Sequence, residues 1–153
     1  MKEKTTLERQ KTEVKFYDSV DDSLLKFAVI LAKKDGQWIF CKHRDRDTFE
    51  VPGGHREPGE DIIDTAKREL YEETGAIKFT IKPICVYSVT APEEFDGVET
   101  FGGLFYADIE ESESELHSEI EKIYLSYDLP DKWTYPLIQP KLLEEAKRRG
   151  FII

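Results

Sequence analysis

The chain is poor in cysteine: Cys41 and Cys85 are the only two among 153 residues. Two thiols cannot build a disulfide framework, and such sparing use suits a reducing compartment. No apolar run approaches the roughly 20 residues a membrane-spanning helix needs. The longest, residues 27–32, is the size of one strand. Residues 1–13 are charged and hold nothing resembling the apolar core of a secretory signal. Positive charge is also scarce, with 22 Lys and Arg against 32 Asp and Glu and a formal net charge of −10. That field repels polyanions and argues against broad nucleic-acid binding or adhesion to anionic membranes. A phosphate-bearing partner would have to be met by metal ions or a local basic patch. Internal repeats and long linkers are missing too. The expectation is a soluble, cytoplasmic protein with an N-terminal arm over residues 1–13 and one domain over residues 14–153.

What is present can build a core: 39% of residues are hydrophobic, including nine Phe, seven Tyr and two Trp. Residues 14–20 alternate weakly and predict a first strand. Residues 25–32 and 37–42 are β-branched and aromatic runs around Asp35-Gly36, a pair suited to a hairpin turn with positive φ. Pro52-Gly53-Gly54 then reads as a loop whose backbone can approach a ligand closely. Over residues 60–74, Ile62, Ala66 and Leu70 recur at helical spacing, and Gly75 supplies the left-handed stop. Residues 77–90 and 97–109 predict a second hairpin. Residues 110–121 hold six Glu and read mostly as a solvated loop. A short strand over 123–125 and a helix over 137–149, closed by Gly150, complete the chain.

The helix carries the chemistry. Glu69, Glu72 and Glu73 lie at i, i+3 and i+4, so they project together, on a face expected to oppose the Ile62, Ala66, Leu70 stripe. Like charges at this spacing repel, and a hard divalent cation, which prefers carboxylate oxygens, would relieve them. Arg68 stands one turn before Glu72 and can hold a carboxylate through its planar fork. An Arg-Glu helix of this kind is by itself most often a surface laced with ion pairs. The glycines change that weighing. Gly54-x5-Glu60-x7-Arg68-Glu69-Leu70-Tyr71-Glu72-Glu73-Thr74-Gly75-Ala76 resembles the signature of the Nudix hydrolases, with every charged and glycine position filled. Seven fixed residues at about 7% each would coincide by chance about once per 10^8 starting positions. One departure is Ala76, where a larger aliphatic residue is usual.

The resemblance implies an α/β fold, a Nudix-like α/β/α sandwich around a mixed β-sheet. It also implies divalent-metal-dependent hydrolysis of a pyrophosphate linkage in a nucleotide by metal-activated water, with Mg2+ or Mn2+ as cofactor. It gives Arg68 the role of orienting glutamates, and Gly53, Glu69, Glu72 and Glu73 the metal. The general base is Glu69 or Glu72, or a carboxylate beyond the motif. Glu119 and Glu121, two apart before a strand, are the candidates for that extra group, and Glu121 is taken as a metal ligand. Glu60 is read equally as a first-turn dipole partner and as indirect support of the metal site.

Arg44 and Arg46, flanking Asp45, are candidates to meet substrate phosphates, with ordinary surface charge the equal alternative. Among Phe95, Phe101, Trp133 and Tyr135 a base-stacking residue is sought, although aromatics near strands are more often core. Compact nucleoside-triphosphate enzymes, similar to bacterial 8-oxo-dGTP diphosphatases and relatives acting on RNA 5′ ends, are the nearest kind. A nucleoside-diphosphate-sugar enzyme of ADP-ribose type and a non-catalytic nucleotide-binding module are the rivals.

Overall fold

The computed structural model describes residues 12–91, 97–113 and 120–151. Seven strands form one mixed sheet: β1 (Glu13–Tyr17), β2 (Leu25–Lys34), β3 (Gln37–His43), β4 (Gly53–His55), β5 (Ala76–Thr90), β6 (Thr100–Ser112) and β7 (Ile120–Ser126). Among the described residues two α-helices, α1 (Ile62–Thr74) and α2 (Gln139–Arg148), accompany it. Strand order is β1-β5-β6-β2-β3-β7, with β4 also on β2, and β2 and β6 run parallel while the other pairs are antiparallel.

Strand β2 explains the sandwich. Its run from Phe27 to Ala32 is apolar without alternation, as befits a strand covered on both faces. Phe27, Val29 and Leu31 enter one core with Trp38, Leu104 and, from α2, Leu142, Leu143 and Ala146. Ala28, Ile30 and Ala32 enter the other, with Ile39, Phe105 and, from α1, Ala66 and Leu70. The expected α/β/α sandwich is the observed architecture.

Asp35 (φ 52°) and Gly36 (φ 77°) make the β2–β3 turn as predicted. Beyond it the two strands separate, pairing only at Lys33 with Trp38 and Lys34 with Gln37. The segment read as a glycine loop fills the gap as strand. Glu50 exchanges backbone hydrogen bonds with Cys41 of β3 at 2.7 and 3.0 Å. Gly53 and Gly54 pair with Val29 and Ala28 of β2. A Cβ on Gly53 would stand 2.6 Å from the Ala28 carbonyl oxygen, so the approach is open only to glycine.

Other differences are local. Helix α1 begins at Ile62 rather than residue 60, and Gly75 caps it at φ 78° as expected. The acidic stretch is not all loop: its first residues extend β6 to Ser112, and its last belong to β7. Antiparallel pairing with β5 draws Glu111 opposite Lys78, while Lys78 also meets Glu110 at 3.2 Å. No helix among the described residues is long and apolar enough to cross a membrane.

Candidate active site

Helix α1 lies with Leu70 fully buried against the sheet, which fixes where its acids point. At 100° per residue, Glu73 stands roughly 60° and Glu69 roughly 100° from Leu70, on the same flank. Only Glu72, roughly 160° away, opposes the apolar stripe. The expectation that all three glutamates oppose it is therefore corrected: Glu73 falls within the stripe, between the directions of Ala66 and Ile62, Glu69 stands at its edge, and both are nearly covered, with side chains 12% (Glu69) and 10% (Glu73) exposed against 43% for Glu72.

The strand wedge receives that flank. The Gly53 N–H donates to Glu73 Oε1 at 2.8 Å. The carboxylate of Glu69 fills the space beside Gly54, where a Cβ would lie 2.3 Å from its Cδ. Burial, with the nearby Glu69, Glu50 and Glu72 charges adding to it, pushes the Glu73 carboxyl up to about 8 despite the Gly53 hydrogen bond. Burial also raises Glu69, against the lowering pull of Arg68.

Arg68 binds the cluster from the solvent side. Its Nε donates to Glu60 at 2.7 Å, Nη1 to Glu69 at 2.8 Å and to Glu72 at 3.3 Å, and Nη2 to the His55 carbonyl at 2.9 Å. Glu60 precedes the helix and also accepts from the Glu57 N–H and the Thr65 hydroxyl, each at 2.9 Å. Held chiefly by Arg68, its carboxyl falls to about 2. Glu60 thus stands ahead of the helix rather than in its first turn, and what it anchors is the arginine.

Sequence reasoning missed Glu50 and His43. Glu50 is buried, and its Oε2 lies 3.4 Å from His43 Nε2, which is itself 3.8 Å from Glu73. Its place between the apolar Phe49 and Val51 was the available signal. Arg46 donates to Glu50 at 3.0 Å and also bonds Tyr135. Arg44 is exposed on the turn after β3. Glu119 and Phe95 lie outside the described residues, as does the side chain of Glu121, whose backbone is in β7. Phe101 packs on Tyr17 and Trp133 on Phe40, at 5.5 and 5.6 Å between ring centres. Tyr135 lines a cleft. That cleft, about 430 Å³, has apolar walls from Phe27, Val29, Val89 and Ile138 and meets the acid cluster at Glu50, Gly53 and Gly54.

Among the described residues no three acids, cysteines or histidines are already gathered as a metal cage. Arg68 occupies Glu69 and Glu72, and Glu73 is turned to Gly53. The donors are nevertheless all hard oxygens in excess over the one guanidinium among them, and that chemistry fits a divalent cation of the Mg2+ or Mn2+ type.

The NUDIX domain model matches residues 23–145. The chain belongs to the Nudix family. It is an enzyme of its pyrophosphohydrolase type, a class generally dependent on divalent metal. YtkD of Bacillus subtilis, which bears the name of an 8-oxo-dGTP diphosphatase, is 28% identical over 150 residues, 92% of each chain. The B. subtilis pyrophosphohydrolase BsRppH superposes with a TM-score of 0.75 at 25% identity, over 94% of this chain and 96% of that one. The NUDIX domain of Shewanella oneidensis NrtR, solved with ADP ribose, shares the fold at a TM-score of 0.60 and 16% identity, over 82% and 87%.

Proposed function

We propose that this Nudix enzyme hydrolyses a pyrophosphate linkage in a nucleoside triphosphate or related nucleotide, triphosphate-bearing RNA 5′ ends included. The observation that carries the reading is the carboxylate surplus at the mouth of the cleft, where an apolar chamber for a base meets acids for a metal-held phosphate chain. The likeness to YtkD and BsRppH supports it.

Glu69, Glu72, Glu73 and the Gly53 carbonyl are the residues that would hold Mg2+ or Mn2+. When bound, the ion supplies neutralisation of the diphosphate charge and acidification of water. Arg68 is a positioning residue, keeping Glu69 and Glu72 turned towards each other. Glu69 or Glu72 takes the proton from the attacking water. The nearly covered Glu69, raised by burial, is better matched to that transfer near neutral pH than an ordinary exposed carboxylate. Arg44, exposed on its turn, and Arg46, which is held by Glu50, are the candidates to meet substrate phosphates.

The test is a panel of nucleotides with Mg2+, with and without EDTA, read by product identity. Inorganic pyrophosphate or phosphate plus the shortened nucleotide is expected from triphosphates. Turnover restricted to nucleoside-diphosphate sugars, giving two phosphate-bearing organic fragments, would replace the reading with the ADP-ribose type. Full turnover in excess EDTA would remove the metal from it.

A further inference from the structure

The cleft beside the acid cluster contains two polar groups that the protein itself leaves unused. Gln139, the first residue of α2, is 5% exposed, and its Oε1 accepts the Val51 N–H at 2.9 Å. That bond sets which way the amide faces, because a backbone N–H can be answered only by the oxygen. The NH2 end is then the free end. Tyr87, 3% exposed, packs its ring on Phe27 at 5.4 Å between centres. Neither the Gln139 nitrogen nor the Tyr87 hydroxyl has a hydrogen-bond partner among the described residues. Yet among the described residues no side-chain nitrogen or oxygen shut off from solvent is left without one. Both atoms therefore keep access to solvent, and both residues line the cleft. Two side chains that are themselves nine-tenths buried thus carry polar atoms without a protein partner at a largely apolar chamber, and a ligand that displaces the water there must answer them.

We infer that Gln139 and Tyr87 read the base edge of the nucleotide, Gln139 as an obligate donor to a ring carbonyl and Tyr87 as the adaptable partner beside it. The inference rests on the nucleotide reading above. Its discrimination follows from polarity. A base bearing a carbonyl at the six-membered ring's exocyclic position, as guanine, hypoxanthine or uracil does, answers the fixed NH2. A base with an amine there, as adenine or cytosine has, sets donor against donor and leaves both unpaired. Tyr87 can donate or accept, and burial holds its hydroxyl protonated far above neutral pH. The apolar walls exclude the water that would otherwise soften the mismatch.

Gln139→Glu tests this with little change of shape: one oxygen still accepts the Val51 N–H, while the free donor becomes an acceptor. Steady-state kcat/KM is measured for ITP and ATP, and for UTP and CTP, in the wild type, Q139E and Y87F, with melting curves to confirm folding. The wild type should favour the carbonyl member of each pair by about tenfold or more, through KM, and Q139E should shift that ratio by about tenfold or more towards the amine member. Y87F should weaken both members together. A wild-type ratio within about twofold of unity, or a ratio unmoved in folded Q139E, overturns the inference. Calorimetric binding of the monophosphates IMP and AMP separates it from the proposed reaction. Preferential IMP binding without turnover of any nucleotide would keep the base reading and end the hydrolytic one. Turnover without base preference would do the reverse.

Discussion

Two arginine–carboxylate networks sit on the two helices, and their balance is opposite. On α1 a single guanidinium, Arg68, serves Glu60, Glu69 and Glu72, while Glu73 goes without it. On α2 a single carboxylate, Glu145, is served by Arg148 and Arg149, and Arg149 also meets Asp18. Glu145 is accordingly held down to about 2 by those arginines, as Glu60 is by Arg68. The surplus shows elsewhere on α1, where Glu73 is raised to about 8 and Glu69 is raised as well. A network whose charges close on themselves is a clasp between elements. One left with buried negative charge is unstable on its own terms and gains from a cation.

The most severe way to break this comparison is through turnover. Glu69→Gln or Glu72→Gln should lower kcat by orders of magnitude, about 10^2 to 10^4 from loss of a base alone, with a further loss if a metal contact goes too. Glu145→Gln should leave kcat within about twofold of wild type and lower stability by about 1 kcal/mol, a charged hydrogen bond discounted for its solvent-facing partner. Raising the metal concentration sorts the first pair, since only a ligand variant should regain rate. Near-normal turnover in both Glu69→Gln and Glu72→Gln at low Mg2+ would transfer this chain to the nucleotide-binding modules.

Stability comes next in size. Leu70→Ala, from the fully buried side of α1, should cost about 2 to 5 kcal/mol in urea unfolding. Glu72→Gln, from its opposite side, should leave metal-free stability level or raise it. A substantially lower melting temperature for Glu72→Gln without metal would mean that the acids hold the helix in place.

The sign of pH dependence should differ between the networks. Glu73 binds its proton more tightly folded than unfolded, so its contribution is complete below about 4.5 and is lost as pH climbs towards 8. Glu145 and Glu60 do the opposite, contributing above about 4.5 and losing that contribution as pH falls towards 2. Metal-free melting curves of Glu73→Gln should lose the decline between about pH 4.5 and 8 and keep the one at lower pH, with Glu145→Gln flattening part of the latter. An unchanged decline between about pH 4.5 and 8 in Glu73→Gln would assign it to another group. The smallest effect is expected from Asp18→Asn, which removes an exposed partner of Arg149 and should shift stability by less than about 1 kcal/mol.

Much of this was legible in the residues themselves. The helix, its Gly75 stop and the Asp35-Gly36 turn follow from local spacing and backbone freedom, which neighbouring elements seldom overrule. The Arg68 and glutamate pattern is likewise contained in one helix. Three features depended on distant partners. Glu73 becomes a buried acid only because β4 brings Gly53 against α1. Glu50 joins it because Cys41 of β3 pairs with that position. Gln139 acquires its fixed amide from Val51, 88 positions away. The acidic run misled for the same reason: nothing local in Glu110 and Glu111 announces that β5 will run alongside them.

The splayed hairpin has a mechanical consequence. Because the segment from Glu50 to His55 is stitched to β3 at one end and to β2 at the other, it cannot lift away without opening the middle of the sheet. Its amides should therefore exchange with deuterium only through near-global unfolding, unlike those of a surface loop. The wall of the site nearest the carboxylates is set at the moment of folding, and whatever the enzyme moves during a catalytic cycle, that wall stays still.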